Sequence, residues 1–306
     1  MIKQLTLFFT LHLLSIPAFS EAIEPIPFKA TYDKKIAALG KQLFFDPILS
    51  KDGTVSCTSC HFLESGGDDN LKFSFGINGQ EGAINSPTVY NAVYNFRQFW
   101  DGRAKDLAEQ AIGPIENPVE MGNNFENLIQ TLDTSKYKKQ FDALYPDGIT
   151  KQNIVHAIAE YEKALITPNA PFDQYLRGDK AAISPKAKEG YALFKSKGCI
   201  ACHHGQNIGG NLYNKFGVIE NAKSSDLGRY NITKKERDKY FFKVPSLRNI
   251  SQTAPYFHDG RTSSLTEVVK FMARYQLGQP ITKDEVGKIV TFLNSLTGEI
   301  PAMAKK

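Results

Sequence analysis

Apolar residues recur at helical spacing in four stretches of the chain, and the four fall into two pairs. Leu39-Gly40-Lys41-Gln42-Leu43-Phe44 is echoed by Glu189-Gly190-Tyr191-Ala192-Leu193-Phe194, and each predicts a helix. Ile149-Thr150-Lys151 and Ile281-Thr282-Lys283 open two more. The first carries Ile154, Ile158 and Tyr161 on one face, the second Val286, Ile289, Val290, Leu293 and Leu296. Thr282 and Glu285 spell a capping box. Between these helices the chain repeats itself without a gap. Laying Pro87 on Pro245 also lays Asn91 on Asn249, Asp101-Gly102-Arg103 on Asp259-Gly260-Arg261, Leu107 on Leu265 and Glu109 on Glu267. These patterns predict a mainly α protein of two domains built to one design.

Segments 76–87 and 113–124 are rich in Gly, Asn and Pro and read as loops. The domain boundary is expected in 167–184, where Pro168, Pro171 and Gly178, with Pro185 just beyond, interrupt the helical pattern. That gives a first domain over 21–167 and a second over 168–306. The halves are unequal at one place. The stretch from Glu109 to Ile149 is longer than its counterpart from Glu267 to Ile281, and the extra length carries Glu116, Glu120 and Met121. A surface loop is the default reading, and an acquired function the alternative. Ahead of the first domain, Lys3, an apolar run from Leu5 to Ile16 and the small residues Ala18 and Ser20 read as a secretory leader over 1–20. The run is too short to span a bilayer, and no later segment looks transmembrane.

Composition changes the picture at the cysteines. All 4 fall in two copies of one motif, Cys57-Thr58-Ser59-Cys60-His61 and Cys199-Ile200-Ala201-Cys202-His203. C-x-x-C-H is the attachment signature of a c-type haem, with two thioethers to the porphyrin and the histidine on iron. A zinc ribbon spaces its C-x-x-C pairs only about 15–20 residues apart, and dithiol chemistry does not explain a histidine after both. Two covalently attached haems are expected, each flanked by an early and a late helix as in small cytochrome c domains, a fold analogy. The formal net charge is +5, and basic runs such as Lys234-Lys235-Glu236-Arg237 are broken by acids, so nucleic-acid binding is not indicated.

Each iron has a second axial face. A protein ligand there should be His or Met, and outside the motifs and the leader the candidates are His156, His204, His258, Met121, Met272 and Met303. Met303 stands near the chain end, His156 lies in an amphipathic helix, and His204 follows His203 too closely to reach round a porphyrin. Met272 continues the pattern Leu265, Val268, Val269, where core packing is an equal reading.

The blocks NSPTVYNAVYNFRQFWDGRAKDLAEQA (Asn85 to Ala111), VEMG (Val119 to Gly122) and VPSLRNISQTAPYFHDGRTSSLTEVVKFMARYQLG (Val244 to Gly278) resemble the bacterial di-haem cytochrome c peroxidase family. The resemblance covers nearly the whole chain after the leader. It implies two cytochrome c-like domains with haems near the domain interface, and a homodimer in the periplasm. The implied reaction is reduction of H2O2 with electrons from a small soluble cytochrome c or a cupredoxin. Met272 would be the second ligand of the His203 haem, a ligand pair that raises potential. Glu120 would be the acid/base at the peroxide site, Gln110 its hydrogen-bonding neighbour, and Trp100 the aromatic between the haems. A calcium ion would sit between the domains on Asn85 and the backbone carbonyls of Thr253 and Pro255. His258, opposite Trp100 in the internal alignment, would belong to the haem environment. Each position has a plainer reading on its own: a core Trp, a solvated Gln, a loop acid, ordinary Asn-Ser-Pro and Thr-Ala-Pro turns.

One position departs from the family pattern. Where many members carry a histidine that caps the first haem at rest, this chain has Ile77, and the loop 62–87 holds no His, Met or Cys. Lys72 would have to be buried and deprotonated to substitute. The first haem is therefore expected to be open. Two other functions compete. A di-haem electron carrier needs both irons six-coordinate, and a relative that oxidises a protein or organic substrate is disfavoured by Met272, where such relatives have tyrosine.

Overall fold

The computed structural model describes residues 22–305, so the predicted leader lies outside the described residues. The first half is built from α1 (Lys34–Phe45), α2 (Leu107–Glu116), α3 (Phe125–Asp133), α4 (Tyr137–Leu144) and α5 (Lys151–Lys163). The second follows with α6 (Pro171–Leu176), α7 (Pro185–Ser196), α8 (Tyr230–Thr233), α9 (Leu265–Phe271) and α10 (Lys283–Asn294). One turn of π-helix, Met272–Leu277, continues α9. A small antiparallel pair, β1 (Tyr213–Lys215) and β2 (Phe241–Lys243), sets Tyr213 opposite Lys243. No described helix is long and apolar enough to cross a membrane.

All four expected helices form, and the repeat has a physical meaning. α1 crosses α5 and α7 crosses α10, each through a glycine. A Cβ on Gly40 would lie 1.8 Å from the Ala157 carbonyl oxygen and 3.0 Å from Tyr161 Cβ; on Gly190 it would lie 2.0 Å from Lys288 O and 3.0 Å from Phe292 Cβ. Backbone meets backbone at both crossings, which only glycine permits. The Thr282 and Glu285 capping box closes the start of α10, and Thr150 caps α5.

Two expectations need correction. Segment 113–124 is not all loop, because α2 runs through Pro114 to Glu116. The carbonyls at its end are met by a returning turn: Asn117 N–H donates to Gly113 O, Met121 N–H to Pro114 O and Asn123 N–H to Ile115 O. The prolines of the interdomain stretch do not simply interrupt helices. Pro171 and Pro185 each open one, at the first turn where a missing N–H costs nothing. The extra length of the first half is chiefly α3 and α4, whose Phe125, Leu128, Leu132, Tyr137 and Phe141 join its core.

Two apolar cores result, one around Leu43, Phe44, Ile158 and Tyr161, the other around Phe172, Phe194, Phe292 and Leu293. The chain ends cross between them. Ile23 belongs to the second core, while Ala304 is buried in the first with Met303 against it. Around Ile23, Arg248 donates to Glu24 O at 2.8 Å and Gly205 N–H to Ala22 O at 2.7 Å. At the other end Tyr161 Oη donates to Met303 O at 3.1 Å.

Candidate active site

Each C-x-x-C-H motif opens on a large cleft. The first cleft is lined by Cys57, Cys60 and His61 with Gln110, Glu120, Arg103 and Glu162; the second by Cys199, Cys202 and His203 with Met272, Lys243 and Leu293. Empty space, counted out to the mouths, is about 1600 Å³ in the first and 1390 Å³ in the second. The four cysteines form no disulfide. Burial pushes the Cys57 thiol far up and the Cys60 and Cys199 thiols up to about 11. Reactive dithiols need the opposite, a lowered thiol pKa.

The histidines are oriented alike. His61 Nδ1 lies 3.1 Å from Gly67 O and His203 Nδ1 lies 3.4 Å from Ile208 O. A carbonyl only accepts, so Nδ1 carries the proton and Nε2 is left as the free acceptor, the tautomer a metal ligand requires. Burial holds both imidazoles below their ordinary pKa, His203 down to about 4, which keeps them neutral. Two thiols, a neutral imidazole with Nε2 free and largely apolar walls fit a c-type haem in each cleft.

In the first cleft α2 supplies Gln110 and the turn that follows the helix supplies Glu120. Asn117 Nδ2 donates to Glu120 Oε1 at 2.6 Å. Burial pushes the Glu120 carboxyl above the usual carboxylate range, against opposing pulls from that hydrogen bond and from Arg103. Ile77 does not face the cleft. It is buried at 6% exposure, its N–H donates to Glu120 O at 2.8 Å, and it packs toward Gly122. Lys72 is exposed over the Phe73 ring, so it does not meet the requirement set for a ligand. Met121 reaches the cleft wall as a residue of the apolar core, 3% exposed.

Trp100 lies on the walls of both clefts, as does Asn85. The indole Nε1–H donates to Asn85 O at 2.8 Å, and Asn85 Nδ2 donates to Leu71 O at 2.9 Å. Asn85, Thr253 and Pro255 all line the second cleft. Asn70 donates to the carbonyls of Gln252 and Ala254, whereas among the described residues no hydrogen bond ends on the carbonyls of Thr253, between them, or Pro255, just after. Unsatisfied hard oxygens of this kind fit a calcium ion. His258 stands one layer behind the cleft walls. Its ring stacks on Phe242 at 4.1 Å and meets Trp100 edge-on at 6.1 Å. Of the remaining candidates, His156 is half exposed against Tyr145, and His204 accepts from Asn211.

Three residues escaped the sequence reading. Asn117 gains meaning only through the turn that aims it at Glu120, and Arg103, ahead of α2, through the charge it brings to the same cleft. Glu162 is fully buried on the first cleft with Oε2 unpartnered, and burial raises its pKa to about 8. No sequence signal marks it, since it alternates with Glu160 on an ordinary amphipathic helix.

A family model described as di-haem cytochrome c peroxidase matches residues 34–181. The cytochrome c551 peroxidase of Nitrosomonas europaea is 47% identical over 290 residues, covering 94% of this chain and 87% of its own. The cytochrome c peroxidase Ccp of Escherichia coli is 46% identical over 286 residues, covering 91% of this chain and 62% of its own, longer one. Among solved structures, a MauG-like protein associated with microbial copper homeostasis matches with a TM-score of 0.78 at 23% identity, over 96% of this chain and 97% of that one. The architecture is thus helix-rich and of the di-haem peroxidase kind. The chain belongs to the di-haem cytochrome c peroxidase family.

Proposed function

We propose that the protein reduces H2O2 to two waters at the first cleft, with electrons received at the second from a small soluble cytochrome c or a cupredoxin. The single observation behind this reading is Glu120, a carboxyl of raised pKa lining the same cleft as Cys57, Cys60 and His61. Two c-type haems, on Cys57, Cys60 and His61 and on Cys199, Cys202, His203 and Met272, supply the redox chemistry when bound, two electrons joining two protons per peroxide. Glu120 handles the protons. Its carboxylate takes the proton from one peroxide oxygen and, now neutral, returns it to the other, which leaves as water. Asn117 fixes Oε1 for that exchange, and Gln110, lining the same cleft, orients the peroxide. Trp100, on both walls, is the bridge between the clefts. Asn85, Thr253 and Pro255 hold calcium and so tie the Trp100 bridge to the second half.

The domains divide at 168, and each carries one haem near their interface. The leader exports the chain to the periplasm, where it works as a homodimer. Because Ile77 is packed against the Glu120 turn, the first iron needs no uncapping, and the fully oxidised protein reacts with peroxide. Met272 on the second cleft favours this reading over a relative that oxidises another protein or an organic molecule. Peroxide-dependent oxidation of reduced cytochrome c tests the proposal, and undiminished turnover in Glu120→Gln would refute the acid/base role.

A further inference from the structure

Two cations are buried among the described residues, and the protein treats them differently. Arg248, 1% exposed, is paired with Asp173 at 2.5 Å. Lys243, at the end of β2, is 5% exposed and lines the second cleft, yet no carboxylate forms an ion pair with it and no hydrogen bond leaves its ammonium. Asp68 lines the same cleft and its Oδ1 is itself unpartnered, so these two do not satisfy each other. Burial, with no opposing charge, holds the Lys243 ammonium down at about 8.

An unpaired buried ammonium is costly, and proteins tolerate one where a ligand brings the missing anion. The space beside Lys243 is the cleft of Cys199, Cys202 and His203. A haem carries two propionates and would bring carboxylates there. We propose that Lys243 is the counter-cation for the carboxylates of the prosthetic group on Cys199 and Cys202, and that its charge raises that group's reduction potential. The inference rests on the haem assignment above. A fixed positive charge favours the reduced iron, which carries one positive charge fewer. Its placement also matters. Lys243 N–H donates to Trp100 O at 2.7 Å, so the strand that delivers the charge is fastened to the residue shared by both clefts. No equivalent cation is buried on the first cleft, where the buried charge-bearing group is the acid Glu162.

The test is a redox titration of the holoprotein, following each haem's absorbance, in Lys243→Met and Lys243→Arg. Lys243→Met should lower the ferrous-to-ferric ratio of one haem about tenfold at a fixed potential, equivalent to about 59 mV for a one-electron couple. The other haem should hold its wild-type ratio, and Lys243→Arg should restore the first. Loss of the second haem in the methionine variant with retention in the arginine variant also supports the pairing. An unchanged ratio in Lys243→Met, equal shifts at both haems, or an arginine variant that behaves like the methionine one would overturn it. A haem count on the wild type separates the two layers of argument. Fewer than two covalent haems per chain removes the assignment itself, whereas two haems with an unmoved ratio remove only the role of Lys243.

Discussion

The two clefts share a frame and differ in what they bring to it. In both, an early helix crosses a late one through a glycine, a C-x-x-C-H turn follows the early helix, and a backbone carbonyl sets the histidine tautomer. Against that background the first cleft presents the acids Glu120 and Glu162 beside the exposed Arg103, with Met121 held in the core, and Asp68 is the acid of the second. The second presents Met272 and a cation, Lys243. The repeat thus supplies the holder twice, and in the proposed reading a handful of side chains divide the work between proton handling and electron storage. Two of these residues sit where the halves are least alike, Glu120 in the turn after α2 and Lys243 on β2, whereas Glu162 and Met272 stand on the repeated frame itself, on α5 and at the end of α9.

The largest effect should come from removing the acid that distinguishes the first cleft. Glu120→Gln is expected to lower turnover with peroxide about 100-fold or more, the usual range for a lost general acid/base, read by oxidation of reduced cytochrome c. Next, the clefts should become alike when the second loses its ligand. The ferric wild type is expected to bind one cyanide per chain without prior reduction, and Met272→Ala two, by spectral titration. Met121→Leu should leave the wild-type stoichiometry as it is, and a wild type that binds none beside a variant that binds one would give Met121 a ligand role at the first iron. The shared frame can be tested as well. Gly40→Ala and Gly190→Ala should each destabilise by about 3 kcal/mol, because a Cβ must displace a backbone carbonyl; denaturant unfolding would show whether the two crossings are equally unforgiving.

The last effect concerns Glu162 and is read as a slope with pH rather than as a loss at one pH. Its pKa is raised from 4.5 to about 8 by burial, so between these values the folded chain keeps a proton that the unfolded chain has released. Stability contributed by this group therefore falls as pH rises through that window. Glu162→Gln should flatten the decline in denaturation midpoint between about pH 5 and 8. Asp68, raised to about 7, adds a slope of the same sign, so the difference between variant and wild type is the quantity to read.

Much of this could be read from the chain before its fold. Apolar periodicity marked α1, α5, α7 and α10, because those helices bury one face and expose the other. The motifs marked the haem attachment points, since covalent chemistry leaves a local signature. The end of α2 was misread because Pro114 and the glycines around it are breakers in isolation. Here the returning 117–123 turn supplies the hydrogen bonds that hold the helix end. Lys243 and Glu162 were invisible for a related reason. Their meaning is burial without a partner, and burial is decided by segments far away in sequence. Ile77 shows both sides: its identity predicted an uncapped iron, but its attachment to the Glu120 backbone emerged only in three dimensions.

The crossing of the chain ends sets an order of events. Glu24 is held by Arg248, 224 residues downstream, and Lys41 by the carbonyl of Lys305, 264 residues downstream. Residues 22–26 are synthesised well before the second half, yet their seat on its core does not exist until that half has been made. A segment made ahead of the whole first half is then among the last to dock, and the final residues close over a half that has long been waiting. Neither half is finished until both are, so a chain cut short at either end should leave the opposite half loose.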